Sequence, residues 1–137
     1  MRKLFVLLLL CLGLVFLLAA CTSNAGTNPE EVVDGFLEAF IADDLDGAMS
    51  YFADDAVYNA VNVDEVMTGK EDVSGYIQFR MRDIVGMETR NFSVDGNQVT
   101  WEAALERTSS PTEISYIATV EGGKISYIES DQIMSDE

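Results

Sequence analysis

No histidine occurs anywhere in this chain. That one absence removes histidine bases, serine–histidine relays and imidazole metal ligands together. The two cysteines, Cys11 and Cys21, both lie within the first 21 residues, so the body of the chain has neither a thiol nucleophile nor a disulfide. Positive charge is equally scarce: eight Lys and Arg face 24 Asp and Glu, a net charge of −16. Such a surface repels phosphate backbones and sets nucleic-acid binding aside. No glycine-rich phosphate loop, nucleophile elbow or paired-cysteine motif appears.

Hydrophobic residues, by contrast, are concentrated at the start. Arg2 and Lys3 precede an unbroken apolar run from Leu4 to Ala20, ending in Leu18-Ala19-Ala20-Cys21. A basic n-region, an apolar h-region and small residues before a cut site read as a secretory signal. An uncleaved transmembrane helix is the alternative, since 17 apolar residues sit at the short end of the about 17–25 a span requires. No basic stop signal follows, however, and Thr22 to Asn28 is polar and uncharged.

Cysteine directly after Leu-Ala-Ala resembles the lipobox of bacterial lipoproteins. The resemblance implies a signal peptide over residues 1–20, diacylglycerol on the Cys21 sulfur and a mature chain starting at that residue. Residues 21–28 then form the lipidated cysteine with a short flexible tether. Stable anchoring takes two acyl chains, which a diacylglycerol cysteine supplies. The mature chain keeps six basic residues against 24 acidic ones, a net charge of −18. The body should therefore stand off anionic lipid on the extracytoplasmic side of a bacterial membrane. Acidity of this kind serves solubility before any other role.

The remaining 117 residues suffice for one domain, read as residues 29–131 with an acidic tail at 132–137. Asn28 is a good N-cap, Pro29 suits the first helical position, and Glu30 and Glu31 favour the positive end of a helix. Val32, Val33, Phe36, Leu37, Phe40 and Ile41 recur at helical spacing, and Leu45, Ala48, Met49 and Phe52 repeat the pattern over a shorter helix. Val57 to Asn62 reads as a strand. Gly69 opens a third helix over 71–84, with Val73, Tyr76, Ile77, Met81 and Ile84 inward. Strands near 87–94, 98–107, 112–120 and 124–130 follow, turned at Asp95-Gly96-Asn97 and Glu121-Gly122-Gly123. Helices first and an antiparallel run afterwards is an α+β plan, with the helices on one face of the sheet. On the outer face Ile117 and Ile128 are expected among Ser115, Thr119, Ser126 and Ser130, which raises self-association as an expectation.

Carboxylates are the remaining candidates for chemistry. Asp43, Asp44, Asp46, Asp54 and Asp55 surround the second helix, but their spacing fits no calcium loop and their positions suit helix capping. Glu102 and Glu106 alternate away from Trp101, towards solvent. Phe36, Phe40, Tyr58, Tyr76, Trp101 and Tyr116 all fall on inward faces. Core packing is the default for such aromatics, and an apolar pocket with a few convergent hydroxyls is the sharper alternative.

The sequence also resembles the nuclear transport factor 2-like superfamily, which includes SnoaL-like polyketide cyclases and ketosteroid isomerases. Asp44-Leu45-Asp46-Gly47, Phe52-Ala53-Asp54-Asp55-Ala56, Gly69-Lys70 opening a helix and Gly123-Lys124-Ile125 before the last strand carry the likeness. It implies a cone, a curved sheet wrapped around three helices with a cavity at its open end. In the isomerases a tyrosine on the first helix donates to the oxyanion and an aspartate on the next strand moves the proton. By the shared runs those positions are Phe36 and Ala60 here, so that chemistry lacks its donor and its base. A second oxyanion acid would fall near Tyr116. The expected function is thus a tethered module that binds a small hydrophobic ligand or a protein partner without catalysis. Its pocket would be lined by Phe36, Phe40, Tyr58, Ala60, Tyr76, Trp101 and Tyr116, with no cofactor, no metal and no catalytic residue. An acid–base cyclase, isomerase or dehydratase is the alternative, and a partner-binding domain with a filled core is a third.

Overall fold

The computed structural model describes residues 27–134. The expected signal at 1–20, the lipidation site Cys21, most of the 21–28 tether and the end of the 132–137 tail lie outside the described residues. Among the described residues, no helix is long and apolar enough to cross a membrane.

Helix α1 spans Pro29–Ile41, and Asn28 caps it by accepting from the Glu30 N–H at 3.1 Å. Its buried stripe is Val32, Val33, Phe36, Leu37 and Phe40, as the helical spacing requires. Asp43 takes a positive φ of 56° to end the turn, and Asp44 accepts from Gly47 N–H at 2.9 Å to cap α2, Leu45–Met49. Asp44 is thus a helix cap, and Asp54 lies 3.9 Å from Lys70; among the described residues no group of three or more candidate ligands is placed to hold a metal ion.

Phe52 does not close the second helix. It starts strand β1, Phe52–Ala60, and meets the Phe36 ring edge-on at 5.2 Å. A 3-10 turn, Val61–Val63, leads to β2, Glu65–Thr68, antiparallel to β1. Helix α3, Lys70–Asp83, opens at Gly69, whose φ of 89° suits glycine and whose N–H donates to the Ala56 carbonyl at 2.8 Å. Ile84 lies beyond the helix and begins β3, Ile84–Asp95, which β4 (Gln98–Arg107), β5 (Thr112–Glu121) and β6 (Lys124–Gln132) follow.

The six strands form one sheet in the order β2-β1-β6-β5-β4-β3. Every pairing is antiparallel except β1 with β6, which run parallel because the chain crosses the whole domain between them. Helices α1 and α3 pack on one face of the sheet, α1 reaching β3 to β6 and α3 reaching β1 to β3, while α2 packs against both helices. Alternation holds along β4 and β5: Val99, Trp101, Ala103 and Leu105, then Ile114, Tyr116, Ala118 and Val120, are buried.

Strand β6 departs from the expected phase. A register shift opposite Thr119 and Val120 inserts one residue after Ile125, which turns Ile128 and Ser130 inward. Both were expected on the outer face. Ile117, 37% exposed, is left there beside Ser115 and Thr119. Strand β3 is irregular too: between Arg90 and Ser93 two residues, Asn91 and Phe92, oppose Trp101 alone. Asn91 takes a φ of 57°, and the bulge lays the Phe92 ring parallel to the Trp101 indole.

Candidate functional site

The wide end of the sheet and the helices enclose an apolar cavity. Helix α1 contributes Phe36, Leu37 and Phe40, α3 contributes Ile77 and Arg80, and β3 contributes Ile84 and Met87. The sheet supplies Tyr58, Trp101, Tyr116 and Ile128. The free volume is about 20 Å³. That suffices for one water, which needs at least about 10–15 Å³, and is far short of the about 300–1,000 Å³ of a ligand pocket. Beside it a cleft of about 220 Å³ runs between Ile41, Asp43, Met81, Val85 and Gly86, and shares Phe40, Ile84 and Met87 with the cavity. These three side chains are the partition between the two spaces. A larger groove of about 660 Å³ lies elsewhere, at the β3–β5 margin, where Glu88, Glu106 and Glu113 are all exposed to solvent.

One wall of the cavity is a stack built by strand register. Trp101 and Tyr116 are direct partners across β4 and β5, so their rings lie 4.9 Å apart and nearly parallel, with Phe92 on the other side of Trp101 at 6.0 Å. Opposite them Tyr58 packs on Tyr76 at 4.7 Å, and the Arg80 guanidinium sits 6.0 Å over the Tyr76 ring.

Burial pushes the Tyr116 hydroxyl up to about 12, a rise that the nearby Arg80 charge only partly offsets. Tyr58 is also raised well above its ordinary value, by burial first and then by Tyr116 and Tyr76, with the neighbouring Ser130 hydroxyl working the other way. Both phenols therefore keep their protons at neutral pH and can donate. The Trp101 Nε1–H is buried with no hydrogen-bond partner. Among the described residues, no Asp or Glu lines this cavity.

Of the pocket residues expected from the sequence, Phe36, Phe40, Tyr58, Trp101 and Tyr116 come together here. Ala60 is fully buried and Tyr76 half-buried beneath Tyr58, but neither lines the cavity. Arg80 was missed. It lies three residues after Ile77 and four before Ile84, on the inward stripe of α3, and its charge hid a position that the spacing alone assigns to the interior. Glu102 faces outward as expected, accepting from Arg90 at 3.1 Å and Asn91 at 2.9 Å.

Residues 33–128 match the family model for a SnoaL-like domain. Solved structures share the architecture at low identity. An NTF-2 like protein of unknown function from Burkholderia xenovorans superposes with a TM-score of 0.71 at 19% identity, over 80% of this chain and 85% of that one. A protein with a ketosteroid isomerase-like fold from Catenulispora acidiphila, solved in complex with trimethylamine, gives 0.63 at 20% identity, over 74% and 84%. A de novo designed protein with a curved β-sheet gives 0.68 at 21%, over 77% and 84%. No curated protein matches the chain. Likeness at these identities is likeness of fold.

Proposed function

The chain belongs to the SnoaL-like domain family, and from that premise we propose that it is an extracytoplasmic lipoprotein, tethered through Cys21, whose domain binds a small hydrophobic ligand without catalysis. The observation that carries the binding reading is the make-up of the cavity. Its walls are aromatic and aliphatic, and its polar groups are the Tyr58 and Tyr116 hydroxyls, Trp101 and Arg80. Proton transfer from carbon needs an acceptor of suitable basicity within hydrogen-bond reach. The position that would hold such a base by family resemblance is Ala60. The competing reading, an acid–base enzyme on a small hydrophobic substrate, finds a donor in Tyr116 and no carboxylate to work with it.

Entry of a ligand requires the partition to move. Met87 is unbranched and flexible, and a rotamer change there would join the cavity to the outer cleft. Trp101 is the only tryptophan in the chain and lines the cavity, so its emission reports on occupancy. Titration of the full chain in maltoside micelles with cyclohexanol should give a saturable change in that emission. A response that stays linear to the solubility limit would refute the binding reading.

A further inference from the structure

We propose that the ligand of this cavity carries a carboxylate, which the Arg80 guanidinium and the Tyr116 hydroxyl hold while an apolar body occupies the cleft beyond Ile84 and Met87. The inference rests on the reading of the cavity as a binding site and adds the chemical class of what binds.

Arg80 carries the argument. Arginine keeps its charge at any physiological pH and has no acceptor to offer. Of the six described cations, Lys70, Arg90 and Arg107 each lie within 4.0 Å of a carboxylate and Arg80, Arg82 and Lys124 do not. Arg82 and Lys124 are exposed to solvent, whereas Arg80 is half-buried at the cavity wall. Carboxylates outnumber cations threefold in this chain, so a partner was easy to supply. A half-buried cation is stabilised by an anion. The carboxylate that feels the Arg80 charge is Asp83, and it is already engaged by Arg107 at 2.7 Å and Thr108 at 2.9 Å.

A second observation is independent of the first. Trp101 is 2% exposed, and its Nε1–H has no partner. An indole N–H only donates, and buried donors are nearly always satisfied. Arg80 and Trp101 are thus donor-only groups, and the Tyr116 phenol between them keeps its proton. The set calls for an acceptor with several lone pairs and a negative charge, which describes a carboxylate. Away from this corner the walls are Phe40, Ile84 and Met87, and the outer cleft offers Ile41 and Val85, 60% and 68% exposed, beside the exposed Asp43. A carboxylate head held inside keeps clear of Asp43, and an apolar body can lie along Ile41 and Val85. The net charge of −16 repels anions elsewhere on the surface, so adventitious carboxylate binding is suppressed.

The test compares cyclohexanecarboxylate with its methyl ester, a neutral molecule of similar shape, by Trp101 emission on the full chain in maltoside micelles. The carboxylate should bind tighter by about tenfold to a hundredfold, the range of a charge-assisted hydrogen bond. R80Q should bring the two to parity, and R80K, which keeps the charge, should retain a preference. Equal affinity for the two probes in the unmodified chain, or tighter binding of the ester, would overturn the carboxylate assignment and leave the binding reading standing. No response to either probe would overturn both. The unmodified-chain comparison decides the matter even if R80Q fails to fold.

Discussion

Raising the pH above 10 should destabilise this domain through its buried tyrosines, with Tyr116 giving a calculable share. Its hydroxyl is held at about 12 by burial in the folded state, while an unfolded tyrosine ionises near 10. The stabilisation is complete below the unfolded value and is lost as the pH rises through the folded one. Between those limits the unfolded chain has released a proton that the folded chain retains, so stability falls by about 1.4 kcal/mol per pH unit. Tyr116 alone then removes about 3 kcal/mol from a total of typically about 5–15 kcal/mol. Tyr58, raised well above its ordinary value, adds a loss of the same sign, and half-buried Tyr76 a smaller one. Urea melts from pH 9 to 12 on wild type and Tyr116→Phe measure the effect. The phenylalanine keeps the ring stack with Trp101 and removes the proton, so the gap between the two slopes isolates Tyr116. Identical slopes would refute the reasoning, as would a folded-state phenolate titration in which all five tyrosines ionise near 10.

Four further outcomes are expected. Cys21→Ser should abolish lipidation and membrane retention, and fractionation of the processed variant with membranes, as for wild type, would refute the proposed tether. The unmodified chain should not isomerise a ketosteroid, and neither Phe36→Tyr nor Ala60→Asp should suffice alone; the aspartate, in a fully buried position, should cost roughly 1–3 kcal/mol by chemical denaturation. Asp83 is partly desolvated, but hydrogen bonds from Arg107 at 2.7 Å and Thr108 at 2.9 Å outweigh that and hold its carboxyl below the usual range. Asp83→Asn should therefore cost about 1 kcal/mol at neutral pH, a difference that shrinks as acid protonates the wild-type group; a pH-independent difference would contradict the ion pair. Self-association through the outer sheet face now rests on Ile117, with Ile128 inside and Glu102 and Glu106 nearby, and a monomer mass by sedimentation at tens of micromolar would end it.

The elements legible in the sequence are those whose burial repeats at a fixed period. Helix α1 and strands β4 and β5 each bury one unbroken face, so their apolar residues mark both the element and its orientation. Strand β2 was invisible because it has no such face: its four residues pair only with β1 at the sheet margin, and three of them are exposed. Phe52 was misplaced for the opposite reason, since it fits the spacing of the short helix before it as well as the alternation of β1. Phase was lost wherever one residue was inserted. The shift near Val120 moved Ile128 and Ser130 from the outer face to the core, and the bulge at Asn91 and Phe92 set a third ring on the aromatic stack. No local signal in β6 marks the first of these.

The site was half legible for a related reason. Periodicity finds residues that obey the burial pattern, so it found Phe36, Phe40, Tyr58, Trp101 and Tyr116, whose apolar bodies are what the pattern asks for. Arg80 breaks the pattern: it occupies an inward position of α3 with a charge, between Ile77 and Ile84. A half-buried position held by a charged residue costs stability unless something offsets it, so such a break is where function is to be sought. Likeness of fold alone assigns no ligand. Three features here depart from mere packing: Ala60 where the isomerase resemblance calls for a base, an unpaired Trp101 N–H, and Arg80 without a carboxylate of its own. The first removes proton abstraction from that position. The other two leave donors at the cavity wall, and these are the ground for proposing an acid as the ligand.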